Sequence, residues 1–224
     1  ARAEMDRVGQ TINEALRLAF FLTLPSTVGL MVLAPDIIRV IYEHGKFHSG
    51  DTALTAAALR AYVIGLSGYA AIKVLTPCFY ALDRRRTPLN VSLVGIGLNV
   101  VMNYTLVKVF HMGHVGLAAS TGCLALLNFI QLALYLRRDV AYGSLSGWLR
   151  FALSAGIPAV ACGMAVYVLK HELAGLGQTL PWLVGALAVE IVVGCVVYFG
   201  LTWVFRVEET HTFARLLRRK VLGS

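Results

Sequence analysis

Residues 181–205 read PWLVGALAVEIVVGCVVYFGLTWVF, and this stretch decides the fold class. It contains a single charged side chain, Glu190. A helix needs about 20 mostly apolar residues to cross the roughly 30 Å hydrocarbon core of a bilayer. Apolar and polar residues do not alternate along the stretch, which disfavours a strand of a membrane barrel. We therefore predict a transmembrane helix here.

Five further segments have the same character. Apolar residues make up 58% of the chain and charged residues 14%, against about 45–50% and about 25% in soluble domains. Short polar connectors separate the segments, so consecutive helices should lie antiparallel. The sequence predicts an all-α integral membrane protein with six transmembrane helices, the other five at residues 16–41, 53–79, 89–110, 115–136 and 149–169.

Lysine and arginine alternate between the two sides of the predicted membrane. Fourteen lie in the N-terminal stretch, the second and fourth connectors and the tail, whereas the opposite side has Lys46, Lys108 and Lys170. The positive-inside rule therefore predicts that both ends of this chain are cytoplasmic. An anionic leaflet also accounts for the net charge of +8, and no motif indicates a nucleic-acid partner. The fourteen are Arg2, Arg7, Arg17, Arg84, Arg85, Arg86, Arg137, Arg138, Arg150, Arg206, Arg215, Arg218, Arg219 and Lys220.

The sequence carries no enzyme signature. The four cysteines lie far apart in or beside apolar runs, so we interpret them as packing residues. His44, His48, His111 and His114 fall in predicted outer connectors without a further set of metal ligands. Nucleophile elbows, phosphate loops and HExxH motifs do not occur. Residues 1–17 form a polar helical stretch that does not begin with Met, so we expect that further residues precede it.

Charge within a predicted span is costly and marks a candidate site, and the candidates are Lys73, Arg60 and Glu190. Arg39 and Lys108 lie close enough to helix ends to reach the interface, and we assign them no role. Lys73 and Arg60 lie in the second span, and both are candidates for lining a substrate cavity. Lys73 also lies close enough to the following arginine cluster to reach the interface. Glu190 is near the middle of the sixth span, where it would be protonated, paired with a base, or facing water.

Proline interrupts the first span. Pro25 removes one backbone hydrogen bond, and we expect the hydroxyls of Ser26 and Thr27 to satisfy the freed carbonyls. Kinked helices suit transporters that rock between two states, and they also occur in static bundles.

Polar and small residues face one another in the third and fourth spans. Asn99 and Asn103 are four residues apart and therefore share a helix face. The fourth span offers Gly116, Ser120 and Thr121 in return. This arrangement fits either close packing with hydrogen bonds between helices or an oxygen-lined cation site.

Four motifs resemble, in order, segments of the MurJ (MviN) family, which are lipid II flippases of the MATE-like exporter superfamily. The most specific begins at Lys73, and the similarity covers nearly the whole chain, being weakest after Arg150. The motifs are LPSTVGL (24–30), YEHGKF (42–47), KVLTPCFYA (73–81) followed by Asp83 and Thr87-Pro88, and GLAAST (116–121).

The resemblance implies a fourteen-helix protein of which this chain is the C-terminal part. Residues 1–140 would form the last four helices of the second transporter lobe, and residues 141–224 two additional helices and a basic cytoplasmic tail. The protein would flip lipid II, a lipid-linked peptidoglycan precursor, from the inner to the outer leaflet of the bacterial cytoplasmic membrane by alternating access. Its partners would be lipid II, membrane lipids and the N-terminal half of the same protein, where the family's essential arginines mostly lie.

The resemblance also ranks the candidate residues. Lys73 matches a family motif, whereas Arg60 and Glu190 match none. Some members bind sodium between the helices equivalent to the third and fourth spans. Asn99 matches an asparagine of that site, Asn103 stands where an aspartate is expected, and Thr121 is the third candidate.

No cofactor is implied beyond sodium or the membrane potential as the energy source. The last two helices would line a lipid-chain groove, although their small residues equally suit close packing. The groove candidates are Gly156, Ala159, Gly163, Gly185, Glu190 and Gly194.

Two alternatives stay open. One is a related exporter of polysaccharide lipids or drugs, which residues outside this sequence would distinguish. The other is a membrane scaffold that transports nothing, or a membrane-embedded transferase. A transferase should show clustered carboxylates or histidines at one membrane face, and the sequence shows no such cluster.

Overall fold

The described part of the chain folds into eight α-helices and contains no strand. The computed structural model describes residues 2–43, 45, 47–173, 175–177 and 179–222, with the backbone alone for residues 2, 3 and 216–222. His44 and Lys46 therefore lie outside the described residues. The helices are α1 (Arg2–Tyr42), α2 (Ser49–Val63), α3 (Leu66–Ala81), α4 (Arg86–Tyr104), α5 (Gly113–Leu136), α6 (Leu145–Leu173), α7 (Leu180–Val204) and α8 (Glu208–Leu222), with a π-helical turn (Thr105–Val109) after α4.

Six helical segments are long and apolar enough to cross a bilayer, which confirms the number of predicted spans. The second span differs from the prediction because it consists of two helices, α2 and α3, which are separated at Ile64 and Gly65. A Cβ atom at Gly65 would lie 2.6 Å from the Cα atom of Gly122 in α5. Small residues permit such close approach between membrane helices. The break therefore lies where the second span and α5 touch backbone to backbone.

Helix α1 is the element on which the two parts of the fold meet. Helix α5 packs against α2, α3 and α4, whereas α6 packs against α1 and α7. Helix α1 contacts α2 and α3 on one side and α6 and α7 on the other. One buried cluster joins Leu16 of α1 to Leu75 and Leu136, and a second joins Phe21 to Val166 and Tyr198. The α2–α5 bundle and the α6–α7 pair are thus held together mainly through α1.

Two prolines remove backbone donors from α1, and side chains of other helices replace them. Pro25 leaves the Phe21 carbonyl without its partner four residues on, and the Tyr198 hydroxyl of α7 donates to that oxygen at 2.7 Å. Pro35 leaves the Met31 carbonyl free in the same way, and Arg60 Nε of α2 donates to it at 2.9 Å. The α6–α7 pair and the α2–α5 bundle therefore each donate a hydrogen bond to one α1 carbonyl that a proline has left without its backbone donor.

The expectation that Ser26 and Thr27 satisfy the carbonyl freed by Pro25 is wrong. The Ser26 hydroxyl donates to Leu22 O at 2.8 Å, and the Thr27 hydroxyl is buried without a hydrogen-bond partner among the described residues. A serine or threonine on a helix bonds back to the carbonyl three or four residues before it. Phe21 O lies five residues before Ser26, so a residue from another helix takes it.

We expect Tyr198→Phe to destabilise the protein by about 1–3 kcal/mol, because it leaves a buried acceptor without a donor. The measurement is thermal unfolding of the purified membrane protein in detergent. Tyr167→Phe is the matched control, since Tyr167 is a largely exposed tyrosine on the neighbouring helix α6. Equal melting temperatures for the two variants would contradict a stabilising hydrogen bond from Tyr198 to the Phe21 carbonyl.

Helix α8 docks on α1 through one arginine. Arg17 Nη1 lies 3.5 Å from Glu209 Oε1 and 3.8 Å from Glu208 Oε2, and Arg17 Nη2 donates to Gly147 O at the start of α6 at 3.1 Å. Phe213 stacks on Phe199 of α7 with ring centroids 5.5 Å apart. Burial raises the pKa of the Glu209 carboxyl above its ordinary value, and the neighbouring Arg17 guanidinium acts in the opposite direction.

The raised pKa of Glu209 predicts a pH-dependent stability. The folded state binds this proton more tightly than the unfolded state, so it gains stability as the pH falls through the raised pKa and loses it as the pH rises. We expect the melting temperature to increase on acidification from neutral pH, and Glu209→Gln to reduce the increase. Glu208→Gln, a change at an exposed neighbour that faces the same arginine, should reduce the increase less than Glu209→Gln does, because burial, and not the Glu208 charge, is the main cause of the raised pKa of Glu209. If the melting temperature of Glu209→Gln depends on pH as strongly as that of the unmodified protein, Glu209 is not the group responsible.

Candidate functional site

An apolar cavity of about 430 Å³ lies between α1, α6 and α7, and we call it the α1–α7 cavity. Pro25 and Gly29 form part of its α1 wall, and a Cβ atom at Gly29 would meet no atom within 4 Å. Glu190 supplies the single carboxyl of the lining, is 4% exposed, and leaves Oε2 without a described hydrogen-bond partner. The cavity is therefore lined mainly by apolar side chains and contains one carboxyl group.

The predicted groove residues divide into three groups. Glu190 and Gly194 line the α1–α7 cavity. Gly163 and Ala159 are buried, and a Cβ atom at Gly163 would overlap the Val28 side chain, so these positions bring α6 close to α1. A Cβ atom at Gly156 or Gly185 would meet nothing within 4 Å. The structure thus brings two of the six candidates to the cavity, beside α1 residues that the sequence analysis did not associate with a groove.

An ion pair joins α1 to α6, two of the helices that line the α1–α7 cavity. Lys170 Nζ of α6 lies 2.5 Å from Asp36 Oδ2 of α1. Charged pairs within membrane proteins mark functional paths or hold helices together. Lys170 was predicted to lie in a connector, and Asp36 was not among the predicted candidates. The signal for Asp36 was a carboxylate inside the predicted span 16–41.

The two substrate-cavity candidates lie in different helices of the second span. Arg60 is exposed, and its Nε donates to Met31 O. Lys73 is exposed on α3, and no ion pair or hydrogen bond joins it to another described residue. No described contact joins the two side chains. Arg60 thus forms a hydrogen bond with α1, whereas the exposed Lys73 side chain can contact a ligand or another polypeptide segment.

The asparagine pair forms a cluster with Ser120 rather than with Thr121. Asn103 Nδ2 donates to Asn99 Oδ1 at 3.0 Å, and the Ser120 hydroxyl donates to Asn103 Oδ1. The Thr121 hydroxyl donates to the Leu117 carbonyl of its own helix at 2.8 Å. Sequence reasoning also missed Asn128, whose Oδ1 atom is buried without a described partner. An asparagine inside the apolar run of α5 was the signal for it.

The cluster of Asn99, Asn103 and Ser120 does not fit a sodium ion as it stands. Both amide oxygens already accept a hydrogen bond from the protein, and none of the three side chains carries a negative charge. Asn103 also directs an N–H donor into the cluster, where a cation needs oxygen atoms. The sodium assignment from the sequence stays a prediction that the following exchange experiment tests.

We expect no change in melting temperature when sodium replaces potassium at equal ionic strength. Asn103→Asp should introduce a sodium-dependent increase, because it supplies a carboxylate beside Asn99 and Ser120. Asn90→Asp, a change at an exposed position of α4, is the control and should show no such increase. A sodium-dependent increase in the unmodified protein would show that the amides rotate to bind the ion.

The fold defines a multi-pass helical membrane protein. The family model described as "Lipid II flippase MurJ" matches residues 1–188, and the chain belongs to this family. The "Probable lipid II flippase MurJ" of Rhizobium tropici is 32% identical over 212 residues, which make up 93% of this chain and 39% of that protein. The "Lipid II flippase MurJ" of Burkholderia cenocepacia is 30% identical over 204 residues, or 90% of this chain and 39% of that protein.

A solved structure shows the same fold. It is described as "Lipid II flippase MurJ, inward closed conformation" and superposes with a TM-score of 0.73 at 24% identity. The match covers 91% of this chain and 40% of that one. The chain therefore spans about two fifths of the length of the relatives that it matches.

Proposed function

We propose that the protein containing this chain translocates lipid II from the inner to the outer leaflet of the bacterial cytoplasmic membrane by alternating access. The observation that carries the proposal is the match of residues 1–188 to the flippase family. The movement involves no chemical reaction. We assign the activity to a protein as long as the relatives, of which this chain would be one part. Its proposed partners are lipid II, the surrounding lipids and the rest of the same protein.

We also propose that two parts of the chain have different roles. Residues 1–140 complete a transporter lobe, and residues 141–224 supply two additional helices and a basic tail. In support, α6 and α7 pack against each other and against α1, whereas α5 packs against α2, α3 and α4. The α1–α7 cavity between these parts would accept an apolar portion of the lipid. Lys73, exposed and unpaired among the described residues, would face the anionic headgroup.

The proposed orientation places both ends of the chain in the cytoplasm. Ion pairs support a common side for the arginine-rich segments. Arg84 in the α3–α4 connector lies 2.7 Å from Asp139 in the α5–α6 connector. Arg17 joins α1 to Glu208 and Glu209 at the start of α8. Segments that touch lie on one side of a bilayer, and these carry the excess of positive charge that marks the cytoplasmic face.

The energy source is proposed to be the membrane potential. The cluster at Asn103 holds no negative charge for a sodium ion, as described above. A lipid that carries negative phosphates moves outward more readily when the potential is inside-negative, at about 2.3 kcal/mol per charge per 100 mV.

The flippase proposal is tested by depleting the host's own flippase while expressing the full coding sequence that contains this chain. We expect lipid II to remain accessible to an externally added binding reagent, and cells to keep their shape. Unchanged lipid II exposure on depletion without the expressed protein would show that another activity flips it. A loss of exposure that the expressed protein does not restore would contradict the proposed function.

Lys73→Ala should impair complementation by about tenfold, which corresponds to roughly 1.4 kcal/mol of lost interaction. Glu190→Gln should have a smaller effect, because it keeps the size and hydrogen-bonding capacity of the side chain. Lys108→Ala is the matched control, since Lys108 is also an exposed lysine at a span. Equal tolerance of all three changes at equal expression would remove Lys73 from the proposed headgroup site.

A further inference from the structure

A second cavity, of about 360 Å³, lies between α5 and α6 with α1 as its floor, and we call it the α5–α6 cleft. It shares no lining residue with the α1–α7 cavity. Phe20 of α1 forms the floor, with its ring centroid 5.5 Å from that of Phe129 and 5.8 Å from that of Trp148. The lining is otherwise mainly aliphatic and aromatic. The proposed transport function does not use this cleft.

The cleft exists because its two walls pack against different partners. Helix α5 packs into the α2–α5 bundle, and α6 packs against α1 and α7. The connector between α5 and α6 closes one end, where the Tyr142 hydroxyl donates to the Ala133 carbonyl at 2.8 Å. The result is a slot between two membrane-spanning helices with an aromatic floor and one end at the connector.

Positive charge gathers at the connector end of the cleft. Arg137 is part of the lining, and its guanidinium lies 5.6 Å from the centroid of the Tyr142 ring. The adjacent Arg138 lies 5.4 Å from the centroid of the Tyr135 ring. The nearby carboxylate, Asp139, is paired with Arg84 at 2.7 Å. Within the described part of the chain, no carboxylate forms an ion pair with Arg137 or Arg138.

We propose that the α5–α6 cleft binds one anionic phospholipid of the surrounding leaflet. Its phosphate lies on Arg137, and part of one acyl chain lies against Phe20, Phe129 and Trp148. Arginine recognises phosphate through paired N–H donors, and basic pockets between transmembrane helices bind anionic headgroups on the cytoplasmic side. The cleft, at about 360 Å³, has room for part of one acyl chain.

The bound lipid would fill the cleft between α5 and α6. It would contact both the α6–α7 pair and the α2–α5 bundle and hold them together. Its position on α1 is opposite to the α1–α7 cavity. Anionic phospholipid should therefore stabilise the protein more than a zwitterionic lipid of the same chain length.

The test uses the full coding sequence that contains this chain, reconstituted in nanodiscs of phosphatidylcholine with increasing phosphatidylglycerol. Native mass spectrometry counts the lipids retained, and thermal unfolding measures stabilisation. We expect one tightly retained phosphatidylglycerol and a higher melting temperature. Arg137→Gln should weaken its apparent affinity by about tenfold, the loss expected for one charged hydrogen-bonding group.

Two further variants separate the cleft from the general surface charge. Arg150→Gln removes an exposed arginine of α6 outside the cleft lining and should leave the retained lipid unchanged. Ala152→Phe fills the cleft from its α6 wall while keeping Arg137, and should also lose the lipid. Equal losses in Arg137→Gln and Arg150→Gln, or full retention in Ala152→Phe, would overturn the proposal. Displacement of phosphatidylglycerol by a lower concentration of a polyprenyl phosphate would also overturn it, because the occupant would then be a polyprenyl lipid.

Discussion

The structure depends on how helix α1 satisfies the carbonyls of Phe21 and Met31. Pro25 and Pro35 remove the backbone donors that would bond these oxygens, and a bilayer offers no water to replace them. Tyr198 of α7 bonds the first carbonyl and Arg60 of α2 the second. The two parts of the fold are therefore each tied to α1 by a hydrogen bond that exists because of a proline. The residues that bond these carbonyls have a structural role whether or not they also meet a ligand.

The same arrangement explains where the molecule is open. Because α5 and α6 pack mainly against different helices, a cleft remains between them. On the other side of α1, Pro25 and Gly29 leave space beside α7, which becomes the cavity that holds Glu190. Glycine contacts of the type found between Gly65 and Gly122 keep the bundle itself tight. The fold thus consists of a bundle of α2–α5, a pair formed by α6 and α7, and the helix α1 that contacts both.

The sequence predicted the features that depend on local composition. Six apolar runs of sufficient length gave the six spans, since hydrocarbon thickness sets a minimum length for each. The break at Ile64 and Gly65 was not predictable in the same way, because it depends on contact with Gly122 far along the chain. Arg60 was recognised as unusual, but its engagement with Met31 required the three-dimensional fold. Asn99 and Asn103 were paired by their helical spacing, whereas the choice of Ser120 over Thr121 depends on the rotation of α5.

The most direct measurement is a double-mutant cycle of Pro25→Ala and Tyr198→Phe, with unfolding free energy as the quantity compared. Alanine at position 25 restores an N–H group that can bond Phe21 O within α1. If the proline creates the need for Tyr198, then Tyr198→Phe should be destabilising when Pro25 is present and nearly neutral in the Pro25→Ala background. The coupling should approach the roughly 1–3 kcal/mol cost of an unsatisfied buried acceptor. The same loss in both backgrounds would show that Tyr198 acts independently of the proline, and would contradict this account of the shared helix.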